Sequence, residues 1–306
     1  MSILLAKNIL AMLLMAAMGF ALVKSKKLSL IDSESLSILS LYVLTPCMTL
    51  SSFQVQMTAE VRRGLLVAFI GSIIAHAVFI ALAQGLKRPL GLDEVERVSA
   101  VCSNCGAFVV PLISMVLGSE YTIYGVVYFA VLSVTLWTYG TPLLRGSRDK
   151  SPRKLLLSVN MIALYLGLIV FFTGIELPSP VQKAVGTVGS MLGPVAMIST
   201  GMALAEVDAK KALSFRRLPL VTALRMLVFP LILLVIFKFT PLAGLSPNGD
   251  TVLLIVLMGA SAPSAFLIGQ IAQVYGKDFY YASTISVTTL FLSILSVPFL
   301  VFLYQL

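Results

Sequence analysis

The sequence predicts an all-α polytopic membrane protein. Three observations favour this fold class: 58% of the 306 residues are hydrophobic, only 11% are charged, and apolar runs long enough to cross a bilayer recur along the chain. Soluble domains carry about 25% charged residues, so a soluble protein of this composition could not cover its own surface. Because the runs are continuous and lack the alternation of β-strands, a transmembrane barrel is excluded.

Ten apolar segments have the length of a spanning helix, which needs about 20 residues. Numbered in chain order, the predicted spans are residues 3–23, 35–53, 64–86, 96–117, 122–144, 155–174, 184–205, 218–239, 251–274 and 279–304. The loops between them are short and leave no room for an extramembrane domain. The function must therefore be carried by the membrane helices.

The basic residues predict the side of the membrane that each loop faces. Sixteen of the 22 Lys and Arg residues fall on one side, five fall on the other, and Arg225 lies within span 8. Under the positive-inside rule the richer side is cytoplasmic. We therefore expect loop 145–154 in the cytoplasm and both termini outside. The net charge of +9 then reflects cytoplasmic loops, and no nucleic-acid partner is expected.

The residue types exclude several kinds of chemistry. A single histidine leaves too few ligands for a typical zinc site, and three cysteines show no paired disulfide framework. No P-loop motif for ATP is present. A nucleophile with its base is not evident either. We therefore expect neither a metal, nor a cofactor, nor an enzyme.

The most polar stretch, residues 145–154, divides the chain into a first unit, residues 1–144, and a second unit, residues 155–306. Each unit has five predicted spans, and an odd number makes the two units enter the membrane in opposite senses. A shift of 158 residues aligns Ala107-Phe108 with Ala265-Phe266. The chain is therefore predicted to be an inverted repeat, the arrangement of many transporters.

Spans 4 and 9 carry polar interruptions at corresponding places. Span 4 contains SNCGAFVVPL (103–112), and span 9 contains GASAPSAFLIGQ (259–270). Proline lacks an N–H and clashes with the carbonyl four residues earlier, so we predict that these helices open near Pro111 and Pro263. Unpaired backbone groups are costly in hydrocarbon unless they line a cavity. Two matched openings predict a binding site near the middle of the membrane.

The predicted ligand is a small anion. The second half of a broken helix begins with free N–H groups and about half a positive charge, which suits a carboxylate. Short side chains at both openings allow a ligand to approach closely. The candidate substrate-binding residues are Asn104, Gly106, Pro111, Ser261, Pro263, Ser264, Gln270, Thr45 and Arg225.

Two of the membrane residues each have two interpretations. Arg225 lies about 12 Å inside span 8, where it either holds the anion or extends toward the cytoplasmic surface. His76 in span 3 is the proton-coupling candidate, although a neutral, packed histidine is the alternative. All 13 Asp and Glu residues lie in loops or near span ends, which disfavours a carboxylate proton relay.

At these residues the chain resembles the auxin efflux carrier family, which includes plant auxin carriers of the PIN type and bacterial malate and malonate permeases. Asn104 and Pro111 have the seven-residue spacing of the family's first crossover segment. APSAF (262–266) and the AQVYGKD run that follows resemble the second crossover segment. The second segment often has a further proline, where this chain has Ile268-Gly269.

The resemblance implies two inverted five-helix repeats in which spans 4 and 9 are unwound and cross, as in bile-acid symporters and sodium/proton antiporters. It implies a mobile transport domain (spans 3–5 and 8–10), a scaffold domain (spans 1, 2, 6 and 7) and homodimers formed through the scaffold. Asn104 carries over as a substrate contact. The bacterial permeases imply an inner (plasma) membrane location.

These inferences predict a secondary transporter that carries a small organic anion, auxin-like or a dicarboxylate, by alternating access. Its partners are then the carboxylate-bearing substrate and the lipid bilayer. For coupling, potential-driven export or uniport is one alternative, and proton-coupled symport of an organic acid is the other. An anion channel is the alternative from a different class, although polarity clusters at two points here and does not line a path.

Overall fold

The computed structural model describes residues 2–54, 58–146, 159–205 and 215–306. These residues form helices and one isolated β-bridge. Six of the helical stretches are long and apolar enough to cross a membrane, and three shorter apolar helices accompany them. Helical structure covers most of the described part of each predicted span. The helices therefore agree with the predicted all-helical, polytopic membrane protein.

The α-helices of the first half are Ser2–Lys24, Leu30–Leu39, Thr45–Ser52, Ala59–Gly85, Glu94–Val101, Val110–Val116, Thr122–Thr135 and Thr141–Arg145. Those of the second half are Val159–Thr173, Ser179–Ser190, Leu192–Leu204, Leu218–Ala223, Phe229–Phe239, Gly249–Ser261, Leu267–Val274 and Phe279–Gln305. Four π-helical turns join some of them: Ser40–Leu44, Cys105–Val109, Leu136–Gly140 and Leu224–Val228. Two short 3₁₀ turns are Ser119–Tyr121 and Pro241–Leu245.

Each of these π-helical turns ends two residues before a proline. Proline cannot donate the usual helical hydrogen bond and crowds the carbonyl one turn earlier, and the wider π turn makes room for its ring. In span 2 the hydroxyl of Thr45 donates to the carbonyl of Ser40 at 2.8 Å, next to Pro46. Pro142 and Pro230 lie at equivalent places in spans 5 and 8. These spans therefore continue past their prolines.

Spans 4 and 9 are interrupted. In span 4 the first half-helix ends at Val101, and helical structure resumes at Cys105. In span 9 the first half-helix ends at Ser261, and Pro263 lies inside the interruption that follows. The prediction that span 4 opens near Pro111 was wrong. Pro111 lies inside the helical stretch that resumes at Cys105, where the π-helical turn Cys105–Val109 makes room for its ring, so the proline does not open the helix.

The helices pack in two groups. The first packing group consists of spans 1, 2, 6 and 7, and the second consists of spans 3–5 and 8–10. In the first group, Gly19 lies against the backbone of Ile198, and Gly201 lies against the backbone of Ala16. A Cβ at either glycine would overlap a carbonyl, so small residues allow spans 1 and 7 to approach closely.

The two groups touch along a limited set of helices. Span 1 packs on span 10, and spans 1 and 7 pack on the second half of span 4. Both interruptions belong to the second group, and the buried core of this group continues through them. The core includes Phe79 and Phe229, whose rings meet edge-on with their centroids 5.4 Å apart. The second half of span 4 thus lies at the boundary between the groups.

An ion pair ties the ends of spans 4, 8 and 10 within the second group. The fully buried carboxylate of Glu96 accepts from Arg217 Nε at 2.6 Å and from Arg217 Nη2 at 3.0 Å. It also accepts from the hydroxyl of Tyr281 at 2.9 Å, while Arg217 donates to the carbonyl of Leu90 at 2.8 Å. The hydrogen bond to Glu96 raises the pKa of Arg217. These contacts hold the ends of the three spans together.

Candidate functional site

The interruptions of spans 4 and 9 lie against each other as an isolated antiparallel β-bridge. The backbone N–H of Asn104 donates to the carbonyl of Pro263 at 2.7 Å. In the opposite direction, the N–H of Ala265 donates to the carbonyl of Cys102 at 3.1 Å. Each opened helix therefore satisfies backbone groups of the other, which is the condition under which non-helical backbone survives inside a membrane.

A buried arginine joins the first half-helices of the two interrupted spans. Arg225 is 0% exposed. Its Nε and Nη2 donate to the carbonyl of Ala262 at 3.1 and 2.6 Å, and its Nη1 donates to the carbonyl of Ala100 at 3.1 Å. Both carbonyls belong to helix C-terminal ends, which carry partial negative charge. The interpretation that Arg225 extends toward the cytoplasmic surface is therefore wrong.

Asn104 lies at the point where helical structure resumes in span 4. Its side chain is partly exposed and makes no hydrogen bond with the residues that the structure describes. The backbone N–H groups that follow, at Cys105 and Gly106, belong to a helix start and lack helical acceptors. A Cβ on Gly106 would come within 2.7 Å of the Phe129 ring, so glycine is required there for packing. Asn104 thus offers an amide beside a helix N-terminus.

The serines of span 9 have different roles. The hydroxyl of Ser261 donates back to the carbonyl of Leu257 at 2.6 Å. The N–H of Ser264 donates to Thr289 Oγ1 at 3.0 Å, while its own hydroxyl is buried without a partner among the described residues. Gln270 lies in the second half-helix, but its side chain is outside the described part of the structure.

His76 lies in span 3. The residue is buried, and its Nδ1 lies 2.7 Å from the carbonyl of Ser72. Because a carbonyl only accepts, Nδ1 carries a proton and donates it in this contact. Its Nε2 has no partner among the described residues, and its ring lies 4.8 Å from that of Tyr128. The proton-coupling role of His76 stays a prediction.

The comparison with known families agrees with this geometry. The profile of a family described as membrane transport protein matches residues 4–152 and residues 143–301. The chain belongs to this family, which is that of the auxin efflux carriers. It is therefore a membrane transporter. No curated protein matches the sequence.

In this transporter, Pro111 lies where the two packing groups meet. A Cβ added to Gly193 of span 7 would stand 2.8 Å from the Cβ of Pro111. A crevice opens nearby between spans 2, 5 and 6, lined by Thr49, Val126, Phe129, Ala130, Ser133, Asn160, Met161 and Leu164. The side-chain oxygen of Asn160 is buried without a partner among the described residues. Phe129 lies between this crevice and Gly106.

The structure brings together some of the predicted site residues of the transporter and separates others. Asn104, Pro263 and Ser264 meet at the crossing, with Arg225 beside them. Thr45 belongs to the first packing group, where its hydroxyl is used within its own helix. Thr289 was not predicted from the sequence, although Ser and Thr recur every three or four residues in span 10, which is typical of a polar helix face.

Proposed function

We propose that the chain is a secondary carrier of small organic anions that works by alternating access. The observation that carries this proposal is the hydrogen-bonded crossing of the two interrupted helices, beside which the Asn104 amide has no hydrogen-bond partner among the described residues. A substrate carboxylate would accept hydrogen bonds from this amide and from the N–H groups that begin the second half of span 4. The partial positive charge of that helix end favours the anion.

The charges near the crossing favour a substrate with one carboxylate. Three of the five N–H donors of Arg225 are occupied by the carbonyls of Ala100 and Ala262. The nearby crevice is lined by apolar side chains and by neutral polar ones, Thr49, Ser133 and Asn160. A second carboxylate would lose its hydration there without a cation to compensate, at a cost of several kcal/mol. An auxin-like monocarboxylate therefore fits better than a dicarboxylate.

The two packing groups support an alternating-access mechanism. In this proposal ten spans form two inverted repeats, the first packing group is the scaffold and the second is the mobile transport domain. Both interruptions and Arg225 belong to the second group, so the site would move as one body past the scaffold. The contact between Gly193 and Pro111 lies on the surface along which this movement would occur.

The proposed coupling is to the membrane potential alone. An inside-negative potential of 100 mV drives export of a monovalent anion by about 2.3 kcal/mol. None of the described residues at the crossing is Asp or Glu, so no carboxylate is available there as a proton carrier. Proton-coupled symport is the second candidate. The observation that favours it is the buried Nε2 of His76, which has no partner in the part of the chain that the structure describes.

The proposed setting is a bacterial inner (plasma) membrane, with both termini outside and loop 145–154 in the cytoplasm. Span 6 exposes large apolar side chains, including Ile169 and Phe172, which are 55% and 62% exposed. Lipid or a second copy of the chain would cover this face of the scaffold. We propose homodimerisation through the scaffold helices.

Uptake into proteoliposomes tests the proposed function. Labelled indole acetate, malate and malonate are offered under an imposed potential to the wild-type protein and to the Asn104→Ala variant. Saturable uptake that is strongest for indole acetate and is lost in Asn104→Ala supports the carrier. Asn8→Ala is the matched control, because the Asn8 amide only bonds the carbonyl of Leu4 in its own helix. Conductance without saturation would show a channel instead.

A further inference from the structure

We infer that Arg225 is a positioning residue whose guanidinium serves as a permanent, built-in cation for the crossing of the two interrupted helices. This inference rests on the proposed carrier function, because it assigns the arginine to the architecture of the anion site and not to the substrate. Arg225 would fix the two backbone segments that contain Asn104 and Ser264. It would not touch the anion itself.

The guanidinium charge offsets the two helix C-terminal ends that converge on it. Each helix C-terminal end is equivalent to about half a negative charge, so two ends that converge amount to about one. The carbonyls of Ala100 and Ala262 lie at two such ends, and a single guanidinium charge bonds to both. A fully buried cation is costly unless it is paired and hydrogen-bonded, and here the two helix ends supply both.

The shape of the side chain explains why arginine stands at this position. A guanidinium presents a rigid, planar set of donors, whereas an ammonium group is a compact point charge. Arg225 uses two donors on Ala262 and one on Ala100, which come from opposite halves of the chain. The ring of Phe79 lies 5.7 Å from the guanidinium carbon and adds an apolar wall with a cation–π contact.

The bonded carbonyls stand directly before the groups that form the crossing. Ala100 precedes the residues of span 4 that form the crossing by two to four positions, and Ala262 is the neighbour of Pro263. The hydrogen bond between Asn104 and Pro263 therefore depends on where Arg225 places the two backbone segments. Loss of Arg225 would free both helix ends and misplace the Asn104 amide.

Two native cysteines report the integrity of the crossing independently of transport. Cys102 and Cys105 are buried at the crossing, whereas Cys47 is partly exposed. Buried thiols in apolar surroundings are unreactive. Maleimide labelling of the purified full-length protein, followed by mass spectrometry, should therefore modify Cys47 in the wild type and leave the other two intact. In Arg225→Met we expect Cys102 and Cys105 to react about tenfold faster or more.

Chemical rescue provides the second readout. Arg225→Ala leaves space for a free guanidinium ion, so millimolar guanidinium chloride should restore protection of Cys102 and Cys105 and part of the substrate uptake. Potassium chloride at the same concentration should restore neither. Arg225→Lys keeps the positive charge but lacks the planar set of donors, so its two buried cysteines should be labelled at an intermediate rate. Lys238→Met is the matched control for charge removal, because Lys238 lies exposed on the same span and contacts no part of the crossing.

The outcomes separate the inference from its rivals. Faster cysteine labelling together with guanidinium rescue supports the inference. If Arg225→Met and Arg225→Ala do not fold, the labelling rates of Arg225→Lys and the wild type are compared instead. If Arg225→Met or Arg225→Lys keeps both cysteines protected while the KM for the anion rises, then Arg225 is a direct substrate ligand and the inference is overturned. Wild-type protein that is protected but transports no anion would contradict the proposed function and leave the positioning role of Arg225 standing.

Discussion

The backbone N–H of Asn104 donates to the carbonyl of Pro263 at 2.7 Å, which joins the two halves of the chain at the point where each has an opened helix. Hydrogen bonds of this kind are worth more inside a membrane than in water, because the alternative is an unsatisfied group in hydrocarbon. The crossing therefore supplies the stability that each interruption lacks by itself. It also fixes the Asn104 side chain beside a helix N-terminus.

The contact between Gly193 and Pro111 should limit the rate of transport. In Gly193→Ala the added Cβ would stand 2.8 Å from the Cβ of Pro111, so the two packing groups would have to move apart slightly. We expect the maximal uptake rate to fall about tenfold with little change in the KM, because the anion site itself is untouched. Initial rates over a range of substrate concentrations measure both quantities.

Gly244→Ala is the control for this glycine, since a Cβ at Gly244 would meet nothing within 4 Å. An unchanged maximal rate in Gly193→Ala would mean that this contact is not on the moving surface.

The ion pair between Glu96 and Arg217 should contribute to stability more than to transport. Arg217→Met would leave the buried carboxylate of Glu96 with one strong partner fewer. Because Arg217 is itself 43% exposed, we expect a loss of about 1–3 kcal/mol rather than the larger cost of breaking a fully buried pair. Thermal unfolding of the purified protein should show a lower Tm, with the KM for the anion unchanged.

Arg216→Met is the matched comparison, because Arg216 is the exposed neighbour of Arg217. Equal Tm values for the two variants would show that the ion pair does not hold spans 4, 8 and 10 together.

Replacement of His76 should distinguish the two modes of coupling. His76→Gln keeps a polar side chain of similar size but cannot carry a proton. If the carrier responds to the membrane potential alone, the variant should retain most of its uptake and the pH dependence of the wild type. A pH gradient imposed at zero potential should then drive no accumulation in either protein beyond that in protein-free vesicles.

Accumulation that is driven by the pH gradient in the wild type and is lost in His76→Gln would instead establish the proton-coupled symporter. The same pair of vesicle experiments therefore decides between the two candidates.

Composition and the matched polar clusters were enough to predict the helical fold and to assign the interruptions to spans 4 and 9. Apolar runs of fixed length and matched polar clusters are local signals, and local signals are what a single sequence displays. Pro263 lies inside the interruption of span 9, as a proline without an N–H predicts. The interruption of span 4 was misplaced, because its position depends on hydrogen bonds to residues of the other half of the chain and not on Pro111 alone.

The partners of the site residues could not be predicted in the same way. That Arg225 bonds the carbonyls of Ala100 and Ala262 depends on the packing of three spans, which no local pattern encodes. The position of Phe129 against Gly106 likewise follows from the way spans 4 and 5 pack. An arginine inside a membrane span is expected to have hydrogen-bond partners, but the sequence alone does not identify them.

The most direct test of the central claim, that the crossing is the anion site, is substrate protection of a thiol placed at the Asn104 position. Asn104→Cys is combined with Cys47→Ser, and an anionic thiol reagent is added with and without transported substrate. We predict that substrate slows modification in proportion to its occupancy, with Cys47→Ser alone giving the background from Cys102 and Cys105. Modification that proceeds at the same rate when the substrate is saturating for transport would contradict an anion site beside Asn104.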